Sequence, residues 1–310
     1  MIERQPTGPE KQWAWQRHFQ SVEIFCTLAS VAGVGGRRSA AYPPQAQSMS
    51  RRLHFEEPTL NRSLERGIEI LRAFRPGADL LGNGEIAERT GLSRATVSRL
   101  CQTLVEVGML EHDRSLRAYR LAAPVLSFAH AMRAGSPVLN AVAPLMQSLA
   151  EKLRINVGLA VPDRDEMVYL ESVRYNRRVS LRNVVAGQRV PMELTSLGRA
   201  YLAVADEPRR LELMAQFRER RKDGWSLIRD EITSAIRSVV ERGYCSASWQ
   251  PEVVALATPV VVEGRPVYVL NVSVATKASI ADTEAMLGGS LLELSANVKA
   301  TLAALEARRV

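Results

Sequence analysis

Residues 92–104 read LSRATVSRLCQTL, a segment with two chemically different sides. At helical spacing Val97, Leu100, Cys101 and Leu104 fall on one side, while Ala95, Ser98, Arg99 and Gln102 fall on the other or its flank. The apolar side predicts burial. The outer side is short and polar: small residues near a helix start let the backbone approach a DNA major groove, and arginine and glutamine pair bidentately with guanine and adenine edges. Arg94 and Thr96 suit phosphates, which position a protein without reading sequence. Taken alone, the segment fits a plain amphipathic surface helix better than a reader of bases.

Its neighbours reverse that preference. In RSLERGIEILRAF, residues 62–74, the apolar residues Leu64, Ile68, Leu71 and Phe74 recur at spacings of three and four, and Arg75-Pro76-Gly77 ends the helix they predict. A second short helix follows in GEIAERT, 84–90; Gly91 sits where a left-handed cap is wanted, and Ser93 is placed to cap the next helix. After Gly108 the pattern becomes two short strands, Met109–His112 and Ala118–Leu121, forming a wing with Arg114, Arg117 and Arg120. Three helices followed by a basic hairpin describe a winged helix-turn-helix. Glu85, Glu88, Glu106 and Glu111 offset much of its arginine, so one module offers few phosphate contacts and a dimer is expected for useful affinity.

The chain has 310 residues, 46% of them hydrophobic and 24% charged, with a formal net charge of +8, which fits an ordinary globular protein of two domains and permits a polyanionic partner. Its 3 cysteines and 4 histidines show neither the paired spacing of a disulfide framework nor a metal-ligand cluster, so no metal and no cofactor are expected. GxSxG and GxxxxGK motifs are also missing, which argues against an enzyme and leaves no catalytic residues to name. Residues 1–58 read as a disordered extension, with Met49 an alternative start; the apolar run VEIFCTLASVAGVGG at 22–36 contains Glu23 and is too short to span a bilayer. The expectation is a cytoplasmic bacterial protein without membrane contact.

The winged helix-turn-helix occupies 59–122. Pro124 then opens a linker helix within 123–136, where Val125, Leu126, Phe128, Ala129 and Met132 suit dimer packing, and Gly135-Ser136-Pro137 reads as a hinge. From 137 to 310 the chain alternates differently. A helix to about Leu153 precedes a hairpin, NVGLAV and MVYLESV, with the charged tip PDRDE; a strand is predicted at VSLRNVV, 179–185. Helices near 197–205, 208–217 and 229–242, strands at 253–262 and 267–274, and a closing helix from Asp282 complete an antiparallel α+β layer domain.

The run SLERGIEILRAF, then GEIAERTGLSRATVSRLCQTLVEVGML, VYLESV, GQRVPMELTSLGRAYLA, RGY and ALATPVV closely resembles the isocitrate-lyase-regulator (IclR) family of bacterial transcription factors, over about residues 60–308. The resemblance implies a two-domain α+β protein: a winged helix-turn-helix that binds double-stranded operator DNA as repressor or activator, a linker helix, and a C-terminal GAF-like domain that binds a small organic acid. It also implies a homodimer or a dimer of dimers. Carried over residue by residue, it assigns effector contacts to Ser196, Leu197, Ala247, Ala255, Asn271 and Ser273. Ser196-Leu197-Gly198 opens a helix whose free N–H groups favour a carboxylate, and Asn271 and Ser273, two apart on one strand, share a face.

The sequence departs from that family's pattern in carrying alanine where many relatives have an acidic residue after the GY motif and a cysteine before the ALATPV strand. Those exchanges predict a wider, less polar pocket and favour an aromatic acid over a two- or three-carbon keto acid. Arg178, Arg182 and Arg189 fit an attractive field for an anion less well than a solvated face. A C-terminal domain serving only assembly or partner contacts is the alternative to a sensor.

Overall fold

The computed structural model describes residues 60–175, 185–250 and 252–307. The expected extension 1–58 with Met49, Arg178 and Arg182, and all but the last residue of the strand expected at 179–185, lie outside the described residues.

Arg62–Ala73 forms α1, started by Asn61, whose side chain accepts from the Ser63 and Leu64 amides at 3.1 Å. Its buried side is Ile70 and Ala73, continued by Phe74. The expected stripe is thereby corrected: Leu64 and Ile68 are exposed and Leu71 only packs at the edge of the core. An eight-residue helix α2 (Asn83–Thr90) is preceded by a two-residue strand β1 (Leu81–Gly82) that the sequence reading missed. Gly91 caps α2 at φ 69°, a left-handed conformation that an L side chain resists.

Ser93 then accepts from the Thr96 amide and opens α3 (Arg94–Glu106). β2 (Leu110–Asp113) and β3 (Ala118–Leu121) form the wing, and β1 pairs antiparallel with β3 to complete a small three-stranded sheet. Ile70, Leu81, Ile86, Val97, Cys101 and Leu110 meet beneath it as one core.

Pro124–Ala134 is the linker helix α4, with no buried residue. Ser136 caps α5 (Pro137–Leu153). Six antiparallel strands follow, in the order β6-β5-β4-β9-β8-β7: β4 (Asn156–Asp163), β5 (Glu166–Val173), β6 (Arg189–Pro191), β7 (Cys245–Gln250), β8 (Val253–Val260) and β9 (Tyr268–Ala275). Of these, β6 and β7 were not read from pattern.

Alternating side chains serve two cores, because successive residues of a strand point to opposite faces. Val157, Leu159, Leu256, Leu270 and Val272 pack against α5 and the long α9 (Ile280–Ala307). Ala160, Tyr169, Ala257, Cys245 and Val269 face α6 (Ser196–Leu202), α7 (Glu207–Arg220) and α8 (Trp225–Arg242). Burial pushes the Cys101 thiol up to about 11 and the Cys245 thiol up to about 12, so both are packing groups held as thiols. No described helix is long and apolar enough to cross a membrane.

Candidate functional site

The outward face of α3 carries Arg94, Ala95, Ser98, Arg99 and Gln102, all exposed, while Val97 and Cys101 are fully buried beneath it. Thr96 is half-buried, and its hydroxyl lies 3.0 Å from Ser93 Oγ, so it is engaged in the cap as well as near the surface. Arg94 lies along Gly84 of α2: a Cβ there would be 3.6 Å from the guanidinium.

In the wing, Asp113 Oδ1 accepts from Ser115 Oγ at 2.6 Å, the Ser115 amide at 3.0 Å and the Leu116 amide at 3.1 Å, and Oδ2 accepts from Arg120 at 2.9 Å. The Ser115 hydroxyl, followed by these other donors, holds the carboxyl below the usual aspartate range. Arg120 is thus committed to shaping the turn, while Arg114 and Arg117 stand exposed at its tip, Arg117 at φ 50°. A short polar helix face thus stands beside a hairpin whose tip carries exposed arginines.

A second candidate site lies in the C-terminal layer, where an open cavity of about 50 Å³ is bordered by β4 to β9 and the start of α6. Ser196, Leu197, Ala255, Asn271 and Ser273 line it together. Strand register explains the convergence: Asn271 pairs with Gly158 and Ala257, and Ser273 with Asn156 and Ala255, so these residues share one face.

Ala247 does not join them. It lies opposite Ala255 across the β7–β8 pair but opens into a neighbouring cleft with Arg199, Ser238 and Glu284. The register between these strands shifts between Ala247 and Gln250, which carries Trp249 and Gln250 into the cavity wall instead. Tyr169, Arg174 and Trp249 also line the cavity, which is small and partly polar. The expected anion site at α6 is narrower too, since the Gly198 amide already donates to Thr195 Oγ1.

Sequence pattern did not single out Tyr169, Arg174, Asn156, Gly158 or Trp249. A polar Asn and a Gly two apart at the head of an apolar strand, NVGLAV, were the available signal for a site where another group approaches the backbone. Burial pushes the Tyr169 hydroxyl up to about 12, against the lowering effect of Asn271 and Arg174 beside it.

The winged module and the cavity domain each match a family profile. Residues 63–114 match the IclR helix-turn-helix domain and residues 130–304 match the bacterial transcriptional regulator IclR C-terminal domain. The chain belongs to the IclR family. It is 33% identical over 186 residues to the HTH-type transcriptional regulator TsaQ1/TsaQ2 of Comamonas testosteroni, covering 60% of this chain and 66% of that one.

A p-hydroxybenzoate hydroxylase transcriptional activator of Acinetobacter baylyi is 29% identical over 223 residues, covering 67% and 79% of the two chains. Among solved structures, an IclR family transcriptional regulator from Brucella abortus superposes with a TM-score of 0.73 at 33% identity, covering 80% of this chain and 95% of that one. This IclR-family chain is accordingly a DNA-binding transcriptional regulator in its two-domain plan, and its relatives are regulators and not enzymes.

Strand β5 touches the cavity, the linker helix and the end of α1. β5 supplies Tyr169 to the cavity, its Leu170 carbonyl accepts from Arg133 of α4 at 2.5 Å, and Glu171 accepts from the same arginine at 2.6 Å. At its start Glu166 accepts from Arg75, just beyond α1, at 2.6 Å.

Proposed function

We propose that this regulator binds operator DNA through Ala95, Ser98, Arg99 and Gln102 on base edges, with Arg94, Thr96, Arg114 and Arg117 on phosphates, and that a small organic acid in the cavity sets its operator affinity. The observation that carries the reading is β5, which contributes to the cavity wall and holds both the linker helix and the end of α1. A ligand that prefers one position of this strand favours one spacing of two recognition helices, and by linkage the operator changes effector affinity by the same factor.

The working unit is a homodimer or dimer of dimers packed through α4, whose Leu126, Phe128 and Met132 are exposed in the single chain. An aromatic acid is the favoured class, supported by the aromatic walls Tyr169 and Trp249 and by the relative that activates p-hydroxybenzoate hydroxylase. A benzene-sized guest occupies a cavity of roughly 150 Å³, so such an acid enters by turning Trp249, 37% exposed at the strand irregularity, outward.

Footprinting of the DNA flanking the gene, with and without benzoate, tests this. The expected result is a protected palindromic site whose occupancy changes with the acid. A C-terminal domain used only for assembly would give the same footprint at every acid concentration and no thermal stabilisation by any of them.

A further inference from the structure

Glu193 is a carboxylate buried at 0% exposure that the site described above does not use. It stands between β6 and α6, and its backbone carbonyl accepts from Arg199 Nε of α6 at 3.1 Å. Thr195, two residues on, pins the same segment: its hydroxyl donates to the Pro191 carbonyl at 2.8 Å and accepts from the Gly198 amide at 3.3 Å. Val190, Thr195, Ser196 and Leu197 line the cavity, so Glu193 belongs to a strip of chain that forms one of its walls.

A charge buried this deeply needs cations, and the end of α7 supplies them. Arg221 Nε donates to Glu193 Oε1 at 3.0 Å, and Arg220 approaches the same oxygen at 3.5 Å, while Oε2 is buried without a hydrogen-bond partner. Arg220 is ion-paired through its other terminal nitrogen with Asp165. One guanidinium is therefore paired with one carboxylate and stands at the edge of hydrogen-bond range from a second. A buried oxygen without a donor is costly; a turn of Arg220 toward Glu193 would supply one and release Asp165.

Asp165 sits in the charged tip PDRDE among the residues that hold α1 and its end. Asp163 pairs with Arg72, Arg164 with Glu69, and Glu166 with Arg75. A chain of contacts thus runs from the cavity wall through Glu193, Arg220 and Asp165 to the DNA-reading domain, without passing through the linker helix.

We propose that Arg220 is a positioning residue that couples the cavity to the DNA-reading domain by dividing its guanidinium between Glu193 on the cavity wall and Asp165 beneath α1. A ligand that moves the 190–197 strip shifts Arg220 between the two carboxylates, and the tip, gaining or losing a cation, holds α1 more or less firmly. Arg221 keeps Glu193 paired in either arrangement, so the exchange leaves no buried charge uncompensated. This rests on the ligand-regulated reading above and names the groups through which it acts.

Hydrogen exchange of the ligand-free full chain tests the coupling. Arg220→Gln and Asp165→Asn should each speed exchange of the α1 amides by about two- to fivefold, the range of one partly exposed ion pair, with β8 and β9 unchanged. The double variant should be no faster than the faster single one, because both changes remove one contact. Coupling is reciprocal, so Asp165→Asn should also alter exchange in α6, although Asp165 pairs with α7. Arg220→Lys keeps the charge but offers one nitrogen to two carboxylates, and should speed α1 exchange with the thermal midpoint nearly unchanged.

Unaltered α1 exchange in the Arg220 variants, unaltered α6 exchange in Asp165→Asn, or an equal acceleration in β8 and β9 overturns the proposal. With benzoate and 4-hydroxybenzoate as probes, Arg220→Lys should keep the thermal stabilisation given by the acid and lose the change in footprint occupancy; a full footprint response also overturns it. Stabilisation of the unaltered chain by neither acid overturns the organic-acid reading instead, and the exchange measurements then decide the role of Arg220 by themselves.

Discussion

Arg72 of α1 and Asp163 at the end of β4 form an ion pair that ties the DNA-reading domain to the cavity domain. It is part of a network. Arg189 reaches Asp163 at 2.6 Å and Glu166 at 2.7 Å, Arg75 reaches Glu166 at 2.6 Å, and Glu69 pairs with Arg164 at 2.6 Å. The charged tip PDRDE is thus the seat of α1, and Arg189 is bonded to Val190 of the cavity wall.

Single exposed pairs contribute about 0–1 kcal/mol, so Asp163→Asn should lower the thermal midpoint little. Its effect should appear locally, as faster hydrogen exchange of the α1 amides with the C-terminal strands unchanged. Unaltered exchange in α1 would show that the pair does not hold the domain.

The same contact should be sensitive to acid. Hydrogen bonding to Arg164 holds the Glu69 carboxyl below its ordinary value. Burial raises Asp163 and Glu166, but the guanidiniums around each outweigh it and both are also lowered. A depressed carboxylate stabilises the docked state fully above its unfolded pKa of about 4 and loses that contribution as pH falls through the folded value. Protection of α1 should therefore be flat from neutral pH down to the usual carboxylate range and decline below it. In Asp163→Asn the decline should be shallower; an equally steep one would assign the acid sensitivity to other groups.

Two arginines near the DNA face should fail differently. Arg99→Ala removes a side chain proposed to read a base edge, so affinity for the footprinted site should fall by about 1–3 kcal/mol with little change on random DNA. Arg117→Asn keeps a residue that accepts the left-handed backbone at this position, and should weaken specific and random DNA together, reducing the salt slope by about 1. Anisotropy titrations at several salt concentrations separate the two. Equal losses for Arg99→Ala on both DNAs would remove it from the base-reading set.

The recognition helix and wing were legible in sequence because their signals are local: Ser93, Gly91 and the spacing of Val97 and Cys101 lie within a dozen residues of one another. The cavity was legible only in part. Asn271 and Ser273 share a face by strand periodicity, but Asn156, Tyr169 and Trp249 reach the same space through pairing across separate strands and a register shift. Ala247, in register with Ala255, lines the neighbouring cleft that the sequence pattern does not distinguish from the cavity. Leu64 and Ile68 misled for another reason, since a helical stripe reports apolar surface without saying whether this chain or a second copy covers it.

Two glycines on helices should respond oppositely to alanine. At Gly198 a Cβ would meet the Met192 backbone at 2.1 to 2.5 Å, and backbone cannot rotate away. Gly198→Ala should destabilise by at least about 1–3 kcal/mol, as overpacking does, and push α6 off the cavity. Gly67, inside α1, has nothing within 4 Å of its would-be Cβ, and alanine there should stabilise by roughly 0.5–1 kcal/mol. Chemical denaturation measures both. A Gly198→Ala protein as stable as the parent would mean that α6 is not held against the Met192 segment.

Under the proposed function, Trp249 sets how large an acid the cavity accepts. Its indole lines the 50 Å³ space from the irregular end of β7 and also borders the neighbouring cleft, so removing it joins two volumes without touching Asn271 or Arg174. Trp249→Ala should therefore raise affinity for ring-bearing acids, which no longer need to displace the side chain, and lower or leave unchanged affinity for three-carbon acids, which lose a wall. Calorimetry with 4-hydroxybenzoate and lactate reads the two directions in one protein. If 4-hydroxybenzoate bound the parent more tightly than the variant, the indole would be a stacking surface for the ring and not the barrier to it.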